Sequence, residues 1–207
     1  MIDHGQIIRN WIGSGSINIF GPPFSGKDTV GNRLAAELQG VLLSSGEILR
    51  QAQAEDEALK KEMNSGALAN TDKFRSIVLP YFAKEELNGK PLIMSSIGRW
   101  EGEEHDVIEA AKNAGHPIKV ALQLEISPEA MEQRRQLALE SGDRGGRGDD
   151  NSPEVLQKRI DEFNEKTLPV LATYEKLGLL VKVSAEEDRD TVFYKVLEAI
   201  SDFSIEN

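Results

Sequence analysis

The sequence predicts an α/β fold, a five-stranded parallel sheet flanked by helices, on three observations. Short β-branched and apolar runs recur at Ile17–Phe20, Val41–Leu43, Leu92–Met94, Lys119–Leu124 and Leu179–Val183. Segments of helical pattern separate them, as crossovers between parallel strands require. The runs are apolar on both faces, the mark of strands buried between two helix layers. No Pro/Gly/Ser-rich linker, internal repeat or low-complexity tract divides the chain, so a single domain over residues 1–207 is expected.

The first run turns through Gly21-Pro22-Pro23-Phe24-Ser25-Gly26-Lys27-Asp28-Thr29 into a helical pattern. Gly21 and Gly26-Lys27 stand at the spacing of a phosphate-binding loop. Backbone N–H groups between the glycines can wrap a polyphosphate, Lys27 adds a cation, and the helix that follows presents its positive end. Val30, Leu34, Ala35 and Leu38 then fall on one helical face, so strand, loop and helix come in the order the motif needs. A plain Gly-Pro turn would carry no such order. One position departs: Ser or Thr usually follows the lysine and holds magnesium, whereas here Asp28 does, with Thr29 one place later. Both are candidate metal ligands.

The formal net charge of −11 argues against nucleic acid or an anionic membrane as partner, since both demand basic surfaces. Without cysteine there is neither a disulfide framework nor a thiolate metal site. The N-terminal residues lack the apolar core of a signal peptide and no apolar run is long enough to span a bilayer. A soluble cytoplasmic protein is expected. His4, His105 and His116 show no metal spacing and are expected at the surface, while Phe74, Tyr81 and Trp100 are expected to pack rather than to stack on a base.

Two segments exceed simple crossovers. Residues 45–88, between the second and third strands, are polar and helical in pattern and far longer than one crossover helix. Residues 140–152 hold four glycines, two arginines and four acidic residues, the composition of a charged loop.

With these residues in place, the chain resembles the adenylate kinase family of nucleoside monophosphate (NMP) kinases from Ile17 to Ile200. Gly21 through Thr29 is similar to the family's phosphate loop, and Ser45-Gly46-Glu47-Ile48-Leu49-Arg50 to its acceptor motif. Ser65-Gly66-Ala67-Leu68 with Asp72 resembles a further acceptor-side stretch. Gly146-Arg147-Gly148-Asp149-Asp150-Asn151 with Lys158-Arg159 resembles the hinge of a short lid and its following helix, and Leu168-Pro169-Val170-Leu171 with Tyr174 the segment beyond. The resemblance implies a P-loop kinase fold with an NMP-binding insertion at 45–75, a lid at 138–152, and a core of 16–44, 76–137 and 153–207.

It also implies the reaction, phosphoryl transfer from ATP with Mg2+ to an NMP, by a monomer. Cations gathered around the transferring group supply most of the catalysis in such chemistry. By resemblance, Lys27 serves the donor phosphates within the loop Gly21, Pro22, Pro23, Phe24, Ser25, Gly26, Asp28 and Thr29. Arg50 and Arg99 grip the monophosphate, with Ser45, Gly46 and Leu68 lining the acceptor site. Arg134, Arg147 and Arg159 close over the transferring group, with Arg144 a substitute for Arg134. Glu103 falls where the family reads the base with glutamine. A carboxylate only accepts, so Glu103 suits the two adjacent donors of guanine, whereas the overall resemblance favours AMP.

The family's Asp-Gly-Phe-Pro-Arg motif reads here Ser95-Ser96-Ile97-Gly98-Arg99, keeping the arginine and losing the aspartate that helps hold magnesium. Either catalysis is impaired and the protein is a nucleotide-binding sensor, or Asp28 offsets the loss. A P-loop kinase for another small hydroxyl substrate is a further alternative.

Overall fold

The computed structural model describes residues 2–52, 68–141 and 152–207. The expected lid lies mostly outside these residues, together with Arg144 and Arg147, as does Ser65-Gly66-Ala67 of the insertion.

The chain opens with helix α1 (His4–Ile12), then β1 (Ser16–Phe20), α2 (Lys27–Glu37), β2 (Val41–Ser44) and α3 (Ser45–Ala52). Helix α4 (Thr71–Ile77), two 3-10 turns (Leu79–Ala83 and Glu85–Leu87) and β3 (Leu92–Ser95) follow. Next come α5 (Glu103–Asn113), β4 (Ile118–Glu125), α6 (Pro128–Ser141) and α7 (Pro153–Glu162). A π-helical turn (Phe163–Thr167), α8 (Leu168–Lys176), β5 (Leu180–Ser184) and α9 (Arg189–Glu206) complete it.

The five strands form one parallel sheet in the order β2-β3-β1-β4-β5. Every run expected to be a strand is one, to within a residue or two at its ends. The chain fills one side of β1 with β2 and β3 and then crosses to the other side with β4. Such a switch of direction leaves a crevice beyond the carboxyl ends of the strands, where ligands of open α/β sheets bind. The residues at those ends are Phe20, Ser95 and Glu125.

Strand alternation divides the core in two. Phe20, Leu92, Met94 and Ala121 face a layer that includes Phe74, Phe82, Val107, Val170 and Tyr174. Ile17, Ile19, Ile93, Val120 and Leu122 face the layer of α1, α2 and α9 through Ile8, Ile12, Leu34 and Val196. Helix α1 is capped by Asp3, whose side chain accepts from the Gln6 N–H, and buries Ile8 and Ile12 fully. Each is worth about 2 kcal/mol of apolar burial. Arg9 joins it to the end of α2 through Glu37 at 2.8 Å.

Two of the three histidines expected at the surface are buried. His116 is 1% exposed, its Nδ1 lying 2.8 Å from the Ser14 carbonyl at the entry to β4, and His4 packs edge-on against Tyr194. Ser14 partners one ring nitrogen of His116, whereas His116 Nε2 and His4 Nδ1 are buried without a hydrogen-bond partner. His105 is exposed, as expected. Among the described residues, no helix is long and apolar enough to cross a membrane.

Candidate functional site

Strand β1 delivers its chain into the phosphate loop at Gly21, where no side chain fits. A Cβ there would stand 2.5 Å from Ser25 Oγ and 2.9 Å from the Leu124 carbonyl. Gly26 caps α2 in the left-handed region at φ +90°, which points the first N–H groups of the helix at the loop. Lys27 folds over the same loop, donating to the Gly21 and Pro22 carbonyls at 2.8 and 2.9 Å. Thr29 follows in the first turn of α2.

Phe24 also has positive φ, at +61°, which costs an L residue energy. Packing offsets the strain: its side chain is buried with Met131 of α6 and Leu156 of α7. Arg134, from α6, lies over the loop and is bound to backbone carbonyls. One guanidinium nitrogen donates to Phe24 and Ser25 at 3.3 Å, and the other to Ala185 and to Glu187, the latter at 2.8 Å. Burial lowers its pKa, with Glu186 opposing that shift.

Asp28, the residue out of pattern, meets the other residue out of pattern. Ser95 Oγ, at the carboxyl end of β3, donates to Asp28 Oδ1 at 2.9 Å. Ser95 is 3% exposed and pairs with Ile19 of β1 and Ser44 of β2.

Ser45, Gly46, Leu68, Arg99 and Glu103, the residues expected on the acceptor side, line one pocket together with Trp100. Its floor is the loop after β3, fixed by buried polar side chains. Asn18, in the middle of β1 and fully buried, donates to the Ile97 carbonyl at 2.7 Å and accepts from the Ile97 N–H at 3.2 Å. Ser45 Oγ donates to the Ser96 carbonyl at 2.6 Å. Arg50, one turn along α3, rests on Gly46: a Cβ at that glycine would stand 3.3 Å from a guanidinium nitrogen.

Arg99 Nε is buried with no hydrogen-bond partner. Burial drives the Arg99 pKa down to about 10, and the positive charge of Arg159 on α7 adds to the fall. Glu162 and Glu103 oppose that fall. A buried guanidinium with an open N–H is a setting in which a bound anion is stabilised. Glu103 Oε2 accepts from the Arg99 and Trp100 N–H groups at 2.9 and 3.0 Å, capping the entry to α5. Its Oε1 is buried without a donor in normal geometry, although the Thr71 hydroxyl lies close enough to favour its charge. Desolvation dominates and raises the Glu103 pKa.

Trp100, expected to pack rather than to stack on a base, lines the pocket. Its indole N–H donates to the Ala69 carbonyl at 3.0 Å, and Lys166 from the π-helical turn sits 3.8 Å over its ring. Asn18, Ser96 and Lys166 belong to the site without any sequence signal, since each acts through a contact with a distant segment. Phe74 is buried as expected and also lines the pocket.

The phosphate loop after β1 and the pocket that holds Arg99 after β3 therefore lie together at the carboxyl end of the sheet. The model of the adenylate kinase family matches residues 19–179. The chain belongs to the adenylate kinase family. It is 30% identical to human adenylate kinase isoenzyme 1 over 186 residues, covering 87% of this chain and 91% of that one. It is 31% identical to an adenylate kinase of Prochlorococcus marinus (strain MIT 9211) over 185 residues, covering 87% and 94%. A gluconokinase from Sinorhizobium meliloti 1021 superposes with a TM-score of 0.63 at 15% identity over 93% of this chain and 94% of that one, a likeness of fold. Adenylate kinases are ATP-dependent NMP kinases, and the phosphate loop and acceptor pocket are the two halves such an enzyme needs. Against that family pattern, the hydroxyl at Ser95 and the carboxylate at Asp28 stand out as a linked pair.

Proposed function

We propose that the protein transfers the γ-phosphoryl group of ATP to AMP, giving two ADP. The observation that carries this reading is Arg99, buried with an unpartnered Nε in a pocket lined by the loop that follows Ser95, whose hydroxyl in turn meets Asp28 after the phosphate-loop lysine. An acceptor monophosphate seated against this guanidinium would face the donor phosphates held by Lys27 and the loop N–H groups. Positioning and charge neutralisation are the main work in phosphoryl transfer, and this arrangement supplies both. A single chain supplies both nucleotide sites, so a monomer suffices.

The residues present fit Mg2+ carried by the nucleotide. Among the described residues no group of three His, Cys, Asp or Glu could hold a metal on its own. Mg2+ binds mainly through phosphates and water with one or two protein oxygens, and Asp28 and Thr29 stand in the first turn after Lys27. When bound, Mg2+ neutralises the β- and γ-phosphate oxygens of ATP. The protein's own groups hold the loop, aim the acceptor and keep Arg99 in a dry setting where its charge acts strongly.

The test is ADP formation from ATP and Mg2+ with AMP, GMP, CMP and UMP in turn. The highest kcat/KM with AMP is expected. Turnover with none, alongside intact ATP binding, would replace this reading by that of a nucleotide sensor.

A further inference from the structure

We infer that the carboxylate serving the magnesium of bound ATP has moved from the end of β3 to the residue after the loop lysine. Asp28 on α2 supplies the metal-facing carboxylate, and Ser95 on β3 is the positioning residue that holds it. In P-loop proteins that carboxylate usually stands at the end of a neighbouring strand. The inference rests on the reading of Gly21 to Thr29 as the ATP site.

Three observations carry it. Ser95 is the last residue of β3, next to β1 in the sheet, so its side chain leaves the strand where the loop begins. It is 3% exposed and its hydroxyl donates to Asp28 Oδ1 at 2.9 Å across a sequence separation of 67 residues. Lys27, the neighbour of Asp28, reaches over the loop to the Gly21 and Pro22 carbonyls, so the carboxylate stands beside the phosphate cradle itself.

The plainer account is that Asp28 only stabilises the start of α2, where any acid is favoured by the helix dipole. That account leaves the buried hydroxyl from β3 without a purpose, because a dipole interaction needs no fixed rotamer. A carboxylate meant for an ion does need one, and a charge-assisted hydrogen bond from a strand end fixes it.

The two accounts differ in a sign. A carboxylate beside the loop repels the phosphates of metal-free ATP and attracts them once Mg2+ is bound. Asp28→Asn keeps the shape and the acceptor for Ser95 while removing the charge. It should tighten ATP measured in EDTA, weaken ATP measured with Mg2+, and so lower the ratio of the two Kd values by about tenfold, the scale of one charge-assisted hydrogen bond.

The experiment is calorimetric titration of ATP, with EDTA or with Mg2+, into wild type, Asp28→Asn, Ser95→Ala, Ser95→Thr and the exchange variant Asp28→Ser/Ser95→Asp, each checked for folding by circular dichroism. Ser95→Ala should lose part of the magnesium-linked ratio, Ser95→Thr should keep it, and the exchange variant should restore it. A ratio unchanged in Asp28→Asn, with only a lower melting temperature, overturns the inference in favour of the helix-dipole account. So does a wild type whose ATP affinity ignores Mg2+. No acceptor is present in these titrations, so failure of AMP turnover would overturn the kinase reading without touching this one.

Discussion

Ser45 Oγ donates 2.6 Å to the carbonyl of Ser96, joining the first residue of α3 to the loop that carries Arg99. Both partners are buried, and the bond holds Ser96 in the left-handed region at φ +54°. A serine there is strained, since its Cβ crowds the backbone in that conformation. The strain persists because Asn18 clamps Ile97 on one side and the Ser96 N–H donates to the Ile19 carbonyl at 2.9 Å on the other.

Ser96→Gly should therefore stabilise the protein by about 1 kcal/mol, because glycine adopts positive φ without penalty, the backbone bonds of residue 96 stay, and the side chain gives up only a long hydrogen bond to the Ile19 carbonyl at 3.4 Å. The added freedom of glycine in the unfolded chain works against the gain. Ser45→Ala should cost about 1–3 kcal/mol, since it strands a buried carbonyl. Urea unfolding of both variants checks the opposite signs.

Phe24 occupies the second strained position, and there packing decides the outcome. Phe24→Ala keeps the positive φ and removes a side chain buried with Met131 and Leu156. A loss of about 3 kcal/mol is expected. Arg134 donates to the Phe24 and Ser25 carbonyls, so the loop should loosen with it. ATP affinity is then expected to fall more than AMP affinity in titrations of the variant.

The sheet was legible because buried parallel strands advertise themselves as apolar runs, and Ile17–Phe20 or Leu92–Met94 could be nothing else in that alternation. The phosphate loop was legible because its glycines answer a local geometric demand, as the 2.5 Å approach to Gly21 shows. Helix α1 was not, since its face against α9 is defined by a partner at the far end of the chain. His116 was misplaced for the same reason: imidazole is polar by composition, and only the Ser14 carbonyl makes its burial tolerable. Asp28 and Ser95 were each visible as departures, but their contact depends on β1 and β3 being neighbours, which spacing in the sequence does not encode.

Arg99→Ala is expected to weaken AMP binding by about a hundredfold while changing ATP binding little, because a buried guanidinium contact to phosphate is lost on the acceptor side alone. Trp100 lines the same pocket and gives a direct readout. Trp11, the other of the chain's two tryptophans, packs against Phe203 on the other side of the sheet, so a Trp11→Phe background isolates the Trp100 signal. In that background AMP should change the fluorescence of the protein, and Arg99→Ala should shift the titration to higher AMP. Equal losses for AMP and ATP would place Arg99 between the two nucleotides rather than on the acceptor.

Glu103 is expected to reveal itself through pH and through the base together. Desolvation, the largest influence on it, raises its pKa above the ordinary carboxylate value, so the folded chain holds that proton more tightly than the unfolded one. Its favourable contribution is complete below the ordinary carboxylate range and is lost as pH rises through the folded pKa. At neutral pH the buried charge is a net cost. Glu103→Gln keeps one acceptor oxygen for the Arg99 and Trp100 N–H groups and removes the charge, so its melting temperature should exceed that of wild type at pH 7, with the difference vanishing towards pH 4. Glu103 also lines the pocket, and a base that reached its buried Oε1 position would meet a different group after the substitution. With its oxygen held by those two N–H groups, the glutamine turns its amide donors where the wild type has the Oε1 acceptor. Adenine N1 accepts from such a donor, whereas guanine N1–H opposes it. The AMP/GMP ratio of kcat/KM should therefore rise by about tenfold in Glu103→Gln, the value of one hydrogen bond gained against one left unpaired. A higher melting temperature with an unchanged ratio would limit Glu103 to capping α5.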